Sequence, residues 1–295
     1  MNRASEGKTS KTSIIITSED IRNAIKTGKS SAGGINNMGY AQLKELIRSK
    51  ESEMLTTAMS GLANTLLTKS VPNLNGFLSG RVIPLKKKDG NPRPITIGDI
   101  LRRTIMKTIH WKAKQLTNLK SQFGNGIKMG AERVITYFKR KLQDNSKEYL
   151  LTVDASNAFG ALKVRKIIDG CKVRAPWLMS LVQNLFSVPM SLKINKKTYQ
   201  IAQSLIQGCP MSGLLFCIGM DNLIQRINEV VEESDNKWFF DDGYVLGNYE
   251  EITNVWEILK TDGKEAGFIV NHKSAILTLG QDKRKIADIE EKRME

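Results

Sequence analysis

The feature that most limits what this chain can fold into is the segment KWFFDDGYVLG, Lys237 to Gly247, where Asp241 and Asp242 stand between two apolar runs. Two β-type runs around a short polar centre read as a hairpin with the acids at its tip. An ionised carboxylate removed from water without a partner is strongly disfavoured. A fold that builds a pair of acids into a core hairpin therefore leaves their heads in a cleft and supplies positive charge. Taken alone, Asp-Asp is more often an exposed turn. Here, with aromatic residues before it and strands on either side, the exposed-turn reading and the cleft reading stand about even.

A third acid, Asp154, ends the apolar run of EYLLTVDASNAFGAL, 87 residues before Asp241. A strand-terminal acid and a hairpin-tip pair can converge on one sheet. Clustered carboxylates repel and call for a cation. Hard oxygen donors without a nearby His or Cys select Mg²⁺, with Mn²⁺ as a substitute, and the ion completes its shell with substrate phosphates. Two such ions are the equipment of phosphoryl transfer.

The charge balance points to the same class of partner. Among 295 residues, 45 Lys and Arg face 30 Asp and Glu, a net +15. Between Arg81 and Lys120 stand eleven basic residues against Asp89 and Asp99, so nine charges of the surplus lie in one segment. Such a field favours polyanions, nucleic acid above all, over the plainer reading of a lysine-rich solvated surface. Cys171, Cys209 and Cys217 show no CxxC pairing, and the only histidines are His110 and His272. A zinc site or a disulfide framework is not expected, and a reducing, intracellular compartment fits. The start of the chain lacks the apolar core of a signal peptide. No apolar run approaches the ~20 residues that cross a bilayer, so no membrane partner is expected.

Residues 1–28, rich in Ser, Thr, Gly and Lys, are expected to lack a fixed fold. YAQLKELIRSKESEMLTTAMSGLANTLL has helical spacing, and GRVIPLKKKDGNPRPITIGD reads as a hairpin around Asp-Gly-Asn. Helices are expected over ILRRTIMKTIHWKAKQL, MGAERVITYFKRKLQD, PWLMSLVQNLF, MSGLLFCIGMDNLIQRINEVV and EEITNVWEILKTDGKEAG. SLKINKKTYQIAQ forms a second hairpin, and strands FIV and AILTL close the readable part. The order implies an α+β sheet with helices segregated to one face.

These segments carry a resemblance. FFDDG resembles the acidic signature of reverse transcriptases, in the form typical of non-LTR (LINE-type) retrotransposons. VDASNAFG is similar to that family's motif A, QGCPMSGLLF to its motif B, and KKKDGNPRPITIGDILRRT to its fingers motifs. SSAGGINNMGYAQLKEL and QFGNGIKMGAERVI resemble two further family segments, so that six motifs stand in family order over residues 29–275.

The resemblance implies a right-hand polymerase: fingers over 29–150, catalytic palm over 151–279, and a charged tail over 280–295 that stops before the thumb. It assigns Asp154, Asp241 and Asp242 as catalytic acids and metal ligands. Phe159 takes the position of an aromatic gate against the 2′-hydroxyl, where an ordinary core Phe is the alternative. Gln207 and Gly208 would lie beside the incoming nucleotide. Lys87 and Arg93 would hold its triphosphate, although which of Lys86, Lys87 and Lys88 faces inward is left open. Arg102, Arg103 and Lys107 would contact template RNA, and Lys273 would protonate the leaving pyrophosphate, a surface Lys being the alternative. The implied partners are template RNA, a DNA primer or nicked target DNA, and dNTPs, in nucleus and cytoplasm for a eukaryotic element. Three departures from the family pattern stand out: Phe240 where a smaller residue is usual, Gly213 in place of Pro, and Cys209 where Asp is commoner. Two other readings share these residues: a reverse-transcriptase-derived fragment that only binds RNA, and an RNA-dependent RNA polymerase, which normally lacks the aromatic gate.

Overall fold

The computed structural model describes residues 13–86, 90, 92–143, 149–201 and 204–278. The first described element overturns the expectation of an unfolded head over Ser18–Lys26, while residues 1–12 lie outside the described residues. Helix α1 (Ser18–Lys26) starts at a capping box: the Thr17 hydroxyl accepts from the Asp20 amide while the Asp20 carboxylate accepts from the Thr17 amide. It buries Ile21, Ala24 and Ile25. The polar composition of the first dozen residues masked an amphipathic helix directly after them.

Helices α2 (Tyr40–Leu46), α3 (Ser52–Thr68) and the single turn α4 (Asn75–Leu78) follow. Strands β1 (Gly80–Lys86) and β2 (Pro92–Gly98) then pair antiparallel, Gly80 opposite Gly98 and Lys86 opposite Pro92. Asp99 caps α5 (Ile100–Leu116) by accepting from the Leu101 amide. After α6 (Gly130–Gln143) come β3 (Tyr149–Val153), α7 (Ala158–Ala161), α8 (Val164–Arg174) and α9 (Met179–Phe186), the last entered through a 3₁₀ turn at Pro176–Leu178. The hairpin β4 (Met190–Ile194) and β5 (Lys197–Ile201) leads to α10 (Ser212–Asn228), then to β6 (Asn236–Phe239) and β7 (Asp242–Gly247). Helix α11 (Tyr249–Ile258) passes through a π-helical turn into α12 (Lys264–Ala266), and β8 (Ala275–Thr278) is the last strand described.

The strands form two four-stranded sheets. The first sheet runs β6-β7-β3-β8, all antiparallel, with Val153 opposite Gly243 and Thr152 opposite Ala275. Its central strand YLLTV is apolar almost throughout, as a strand covered on both faces must be. Tyr149, Leu151 and Val153 join the main core with α10 and α11, whereas Leu150 and its partner Leu246 pack under Val134 and Phe138 of α6. The expected one-sided arrangement is therefore corrected: α6 covers the second face. The run FIV, expected as a strand, makes a single bridge between Val270 and Ala155.

The second sheet runs β2-β1-β4-β5, in which β1 and β4 are parallel and join the two expected hairpins. β4 and β5 lie past residue 151 yet sit in the sheet of the 29–150 segment, and α6 precedes residue 151 yet lies on the other sheet. One apolar core runs from Ile14 to Phe268 through both. Trp238, Phe216 and Phe268 are its largest wholly buried side chains, each worth roughly 1.5–3 kcal/mol or more of hydrophobic burial.

Candidate active site

The β6–β7 hairpin closes with Phe239 opposite Asp242, leaving Phe240 and Asp241 as a two-residue loop. Phe240 is held at φ 57°, in the left-handed region where glycine is the usual occupant of such a loop. For a residue with a side chain that conformation costs roughly 1–2 kcal/mol. Asp241 follows in the loop and Asp242 opens β7, so the turn sets two consecutive carboxylates at one end of the sheet.

Asp154 leaves the end of β3, the strand that pairs with β7, so the register brings it to the same end. The segment after α12 grips it. The Asn271 amide and the Ser274 hydroxyl both donate to the Asp154 carbonyl, at 2.9 and 3.1 Å, and the Asp154 amide donates to Ser274 Oγ at 3.0 Å. The Asn271 carboxamide also donates to the Asp154 carboxylate. Asn271 and Ser274 are residues beside Asp154 that sequence reasoning missed, although both stand within two positions of Lys273.

The acids act on one another. Burial, and then the negative charge of Asp154, push the Asp241 carboxyl above its ordinary range, while the Arg93 guanidinium pulls it back. Asp242 is raised by the protein packed around it and by the charges of Asp241 and Asp154. Among the described residues no three His, Cys, Asp or Glu side chains are gathered tightly enough to form a ready cation shell. Asp154, Asp241 and Asp242 are hard oxygen donors whose charges act on one another. Mutually repelling carboxylates of this kind fit a divalent ion such as Mg²⁺, which keeps part of its water shell and needs only a few protein oxygens.

Around the acids the structure collects several of the expected residues. Arg93, exposed on β2, is close enough for its charge to act on Asp241. Phe159 on α7 stacks on Phe216 with ring centroids 4.3 Å apart and lies 6.1 Å from the ring of Phe240. The Gln207 carbonyl accepts from the Thr96 amide at 2.8 Å, which docks the loop before α10 onto β2. Gly208, at φ 110°, lies so close to β2 that a Cβ there would stand 2.2 Å from the Thr96 carbonyl oxygen. That strand contact by itself requires glycine here. Lys273 is exposed one residue beyond His272, with its amide donating to Asn271 Oδ1. Lys87 lies outside the described residues.

The basic residues of α5 divide. Arg102, expected to contact template, is 4% exposed and donates to the Leu78 carbonyl at 2.7 Å. It is a structural arginine, turned inward because α5 buries that face. Arg103 is half-buried and donates to Ser31 Oγ and to the Ala32 carbonyl, tying down the SSAGG segment. Lys107 rests over the rings of Trp111 and Tyr40, 4.8 and 5.7 Å from their centroids.

Two of the departures prove to be one. A Cβ on Gly213 would stand 3.0 Å from the Phe240 ring, and one on Gly124 would stand 2.7 Å from it. The large side chain at 240 occupies space left by glycine at the other two positions.

An antiparallel sheet with three acids at one end, backed by helices and faced by a basic hairpin, defines a right-hand polymerase palm with part of its fingers. The chain belongs to the reverse transcriptase (RNA-dependent DNA polymerase) family, whose sequence model matches residues 85–287. Members of that family are nucleotidyltransferases. No curated protein matches the chain in sequence. Among solved structures it is similar to an apo telomerase from Candida tropicalis truncated from its C-terminal domain. The two share 14% identity and a TM-score of 0.51 over 79% of this chain and 56% of that one. That likeness is one of fold, and this chain spans little more than half of the other's length.

Proposed function

We propose that this chain is the fingers and palm of a reverse transcriptase of the non-LTR retrotransposon type, adding dNTPs to a primer 3′-hydroxyl on an RNA template. The observation that carries the reading is the meeting of Asp154 with Asp241 and Asp242 at one end of a sheet, opposite Arg93. The retrotransposon origin rests on the order and form of the six sequence motifs.

Asp154 and Asp241, with Asp242 beside them, would hold Mg²⁺. When bound, the metal supplies an activated primer oxygen and a counter-charge for pyrophosphate. The chain's own residues do the rest. Arg93 offers a planar pair of donors to triphosphate oxygens. Asn271 orients the Asp154 carboxylate. Phe159, braced by Phe216, presents a ring where a 2′-hydroxyl would collide. Lys273 is free of the core and is the candidate proton donor to the leaving group. Template RNA and a nicked DNA end are the proposed partners, bound through the basic surplus. Among the described residues no helix is long and apolar enough to cross a membrane.

Primer extension on poly(rA)/oligo(dT) with Mg²⁺ and dTTP tests this reading. Extension is expected from the wild-type chain and not from the Asp241→Ala, Asp242→Ala double variant. RNA binding with no extension, at protein in excess over primer, would favour a role confined to binding. Extension that survives the double substitution would overturn the mechanism.

A further inference from the structure

The stretch Ser121–Gly124, which leads into the QFGNG motif at Gln122, has no role in the chemistry above, yet its contacts converge on the hairpin loop of the acids. Trp238 donates its amide to the Ser121 carbonyl at 2.8 Å, and Phe123 donates to the Trp238 carbonyl at 2.7 Å. These bonds lay residues 121–123 beside β6 as a short parallel extension of the sheet. From there the Gln122 side chain, only 3% exposed, reaches the hairpin loop 118 residues away. Its Nε2 donates to the Phe240 carbonyl at 2.9 Å, and its Oε1 accepts from the Phe240 amide at 3.2 Å.

One carboxamide therefore satisfies both backbone groups of a loop residue that the hairpin ladder leaves unpaired. Only one orientation of the amide can do so, because the N–H needs an acceptor and the carbonyl needs a donor. The residue so held is the one at φ 57°. Gly124, two positions on, leaves room for its ring.

We propose that Gln122 is the positioning residue of the catalytic turn. Its carboxamide holds Phe240 in the left-handed conformation that aims Asp241 and Asp242 into the site. The proposal deepens the polymerase reading and rests on it for its kinetic consequence. It also gives the Gln-x-Gly spacing a physical reason: glutamine to grip the turn, glycine to clear the ring.

The test uses the 295-residue chain with Gln122→Met, which keeps the buried volume and removes both hydrogen bonds. The expected kcat for single-nucleotide extension falls on the order of 100-fold, the scale set by a small misplacement of reacting groups. The KM for dNTP and the affinity for primer–template stay within about twofold, because neither contact site is altered. Amide exchange over Trp238–Asp242 accelerates by about tenfold or more while α10 keeps its protection. Glycine adopts φ 57° freely, so in the Phe240→Gly background the same Gln122→Met change lowers kcat by less than about threefold. Should Gln122→Met fail to fold, Gln122→Glu keeps the acceptor and sets a charge against the Phe240 carbonyl, with the same expected direction. Wild-type kcat in the variant, unchanged exchange at the turn, or an equal loss in the Phe240→Gly background would overturn the proposal. If the wild-type chain extends no primer, the polymerase reading falls, while the exchange measurement, which needs no substrate, still decides the clamp.

Discussion

At the scale of single residues, the site is built by side chains that accommodate one another. Phe240 fits because residues 124 and 213 have no side chain, and Phe159 is held upright because Phe216 lies flat against it. The same stacking that makes Phe159 an ordinary core residue gives a gate its rigidity, so the two readings of this residue are compatible. Phe159→Val removes most of the ring but keeps a β-branched apolar plug. The expected outcome is a rise of on the order of tenfold or more in the use of ribonucleotides relative to deoxynucleotides, since a steric clash is traded for free space. Competitive incorporation of rNTP and dNTP measures it, and an unchanged ratio would remove Phe159 from the gate. The fold itself should tolerate the change, with a loss of about 1–3 kcal/mol in denaturant unfolding.

At the scale of elements, the β6–β7 hairpin carries acids that work against its stability. Burial, then the Asp154 charge, raise the Asp241 carboxyl, so the folded chain binds that proton more tightly than the unfolded chain does. The contribution of this one carboxyl to stability therefore falls as pH rises from the unfolded value of 3.8 through the raised folded value, and its full penalty is present above it. Asp241→Asn removes the charge and keeps the shape. At pH 7 the variant is expected to melt a few degrees above the wild type without metal, with the gap closing as pH falls below about 4. Thermal unfolding across pH measures this, and an equal or lower melting temperature at pH 7 would show that the carboxylate is not strained by its surroundings. Asp154, whose charge acts on Asp241, is itself held by Asn271 and Ser274 of the 269–274 segment. The segment's hold on Asp154 comes from hydrogen bonds of isolated residues rather than from a strand ladder.

At the scale of the molecule, a net charge of +15 favours polyanions, and the affinity for the proposed RNA partner is expected to fall linearly in log salt. Charge counting treats all eleven basic residues between Arg81 and Lys120 alike, whereas folding sorts them. Lys107→Ala is expected to lower the salt slope of RNA binding by about one, since that ammonium is only part-covered by rings. Arg102→Met should leave the slope unchanged and instead destabilise the fold by about 1–3 kcal/mol, because the Leu78 carbonyl loses its donor. Filter binding at several salt concentrations, beside denaturant unfolding, separates the two effects. Equal slopes for both variants would mean that α5 does not face the RNA.

What the sequence determined by itself is whatever depends on neighbours along the chain. Period and turn chemistry placed the β1–β2 and β6–β7 hairpins, α5 and α10, and marked Asp154, Asp241 and Asp242 as acids at strand ends. Helix α1 was legible too, in the Thr17–Asp20 capping box, but the polar head beside it hid the signal. Tertiary structure alone decided the rest: that β1 and β4 join two hairpins into one sheet, that α6 covers the far face of the other, and that Arg102 turns inward. It also decided that Gln122 grips the Phe240 backbone and that Asn271 and Ser274 close on Asp154. The physical reason is that those outcomes rest on contacts between residues far apart in sequence, and a single side-chain hydrogen bond to a distant backbone leaves no period or composition to read.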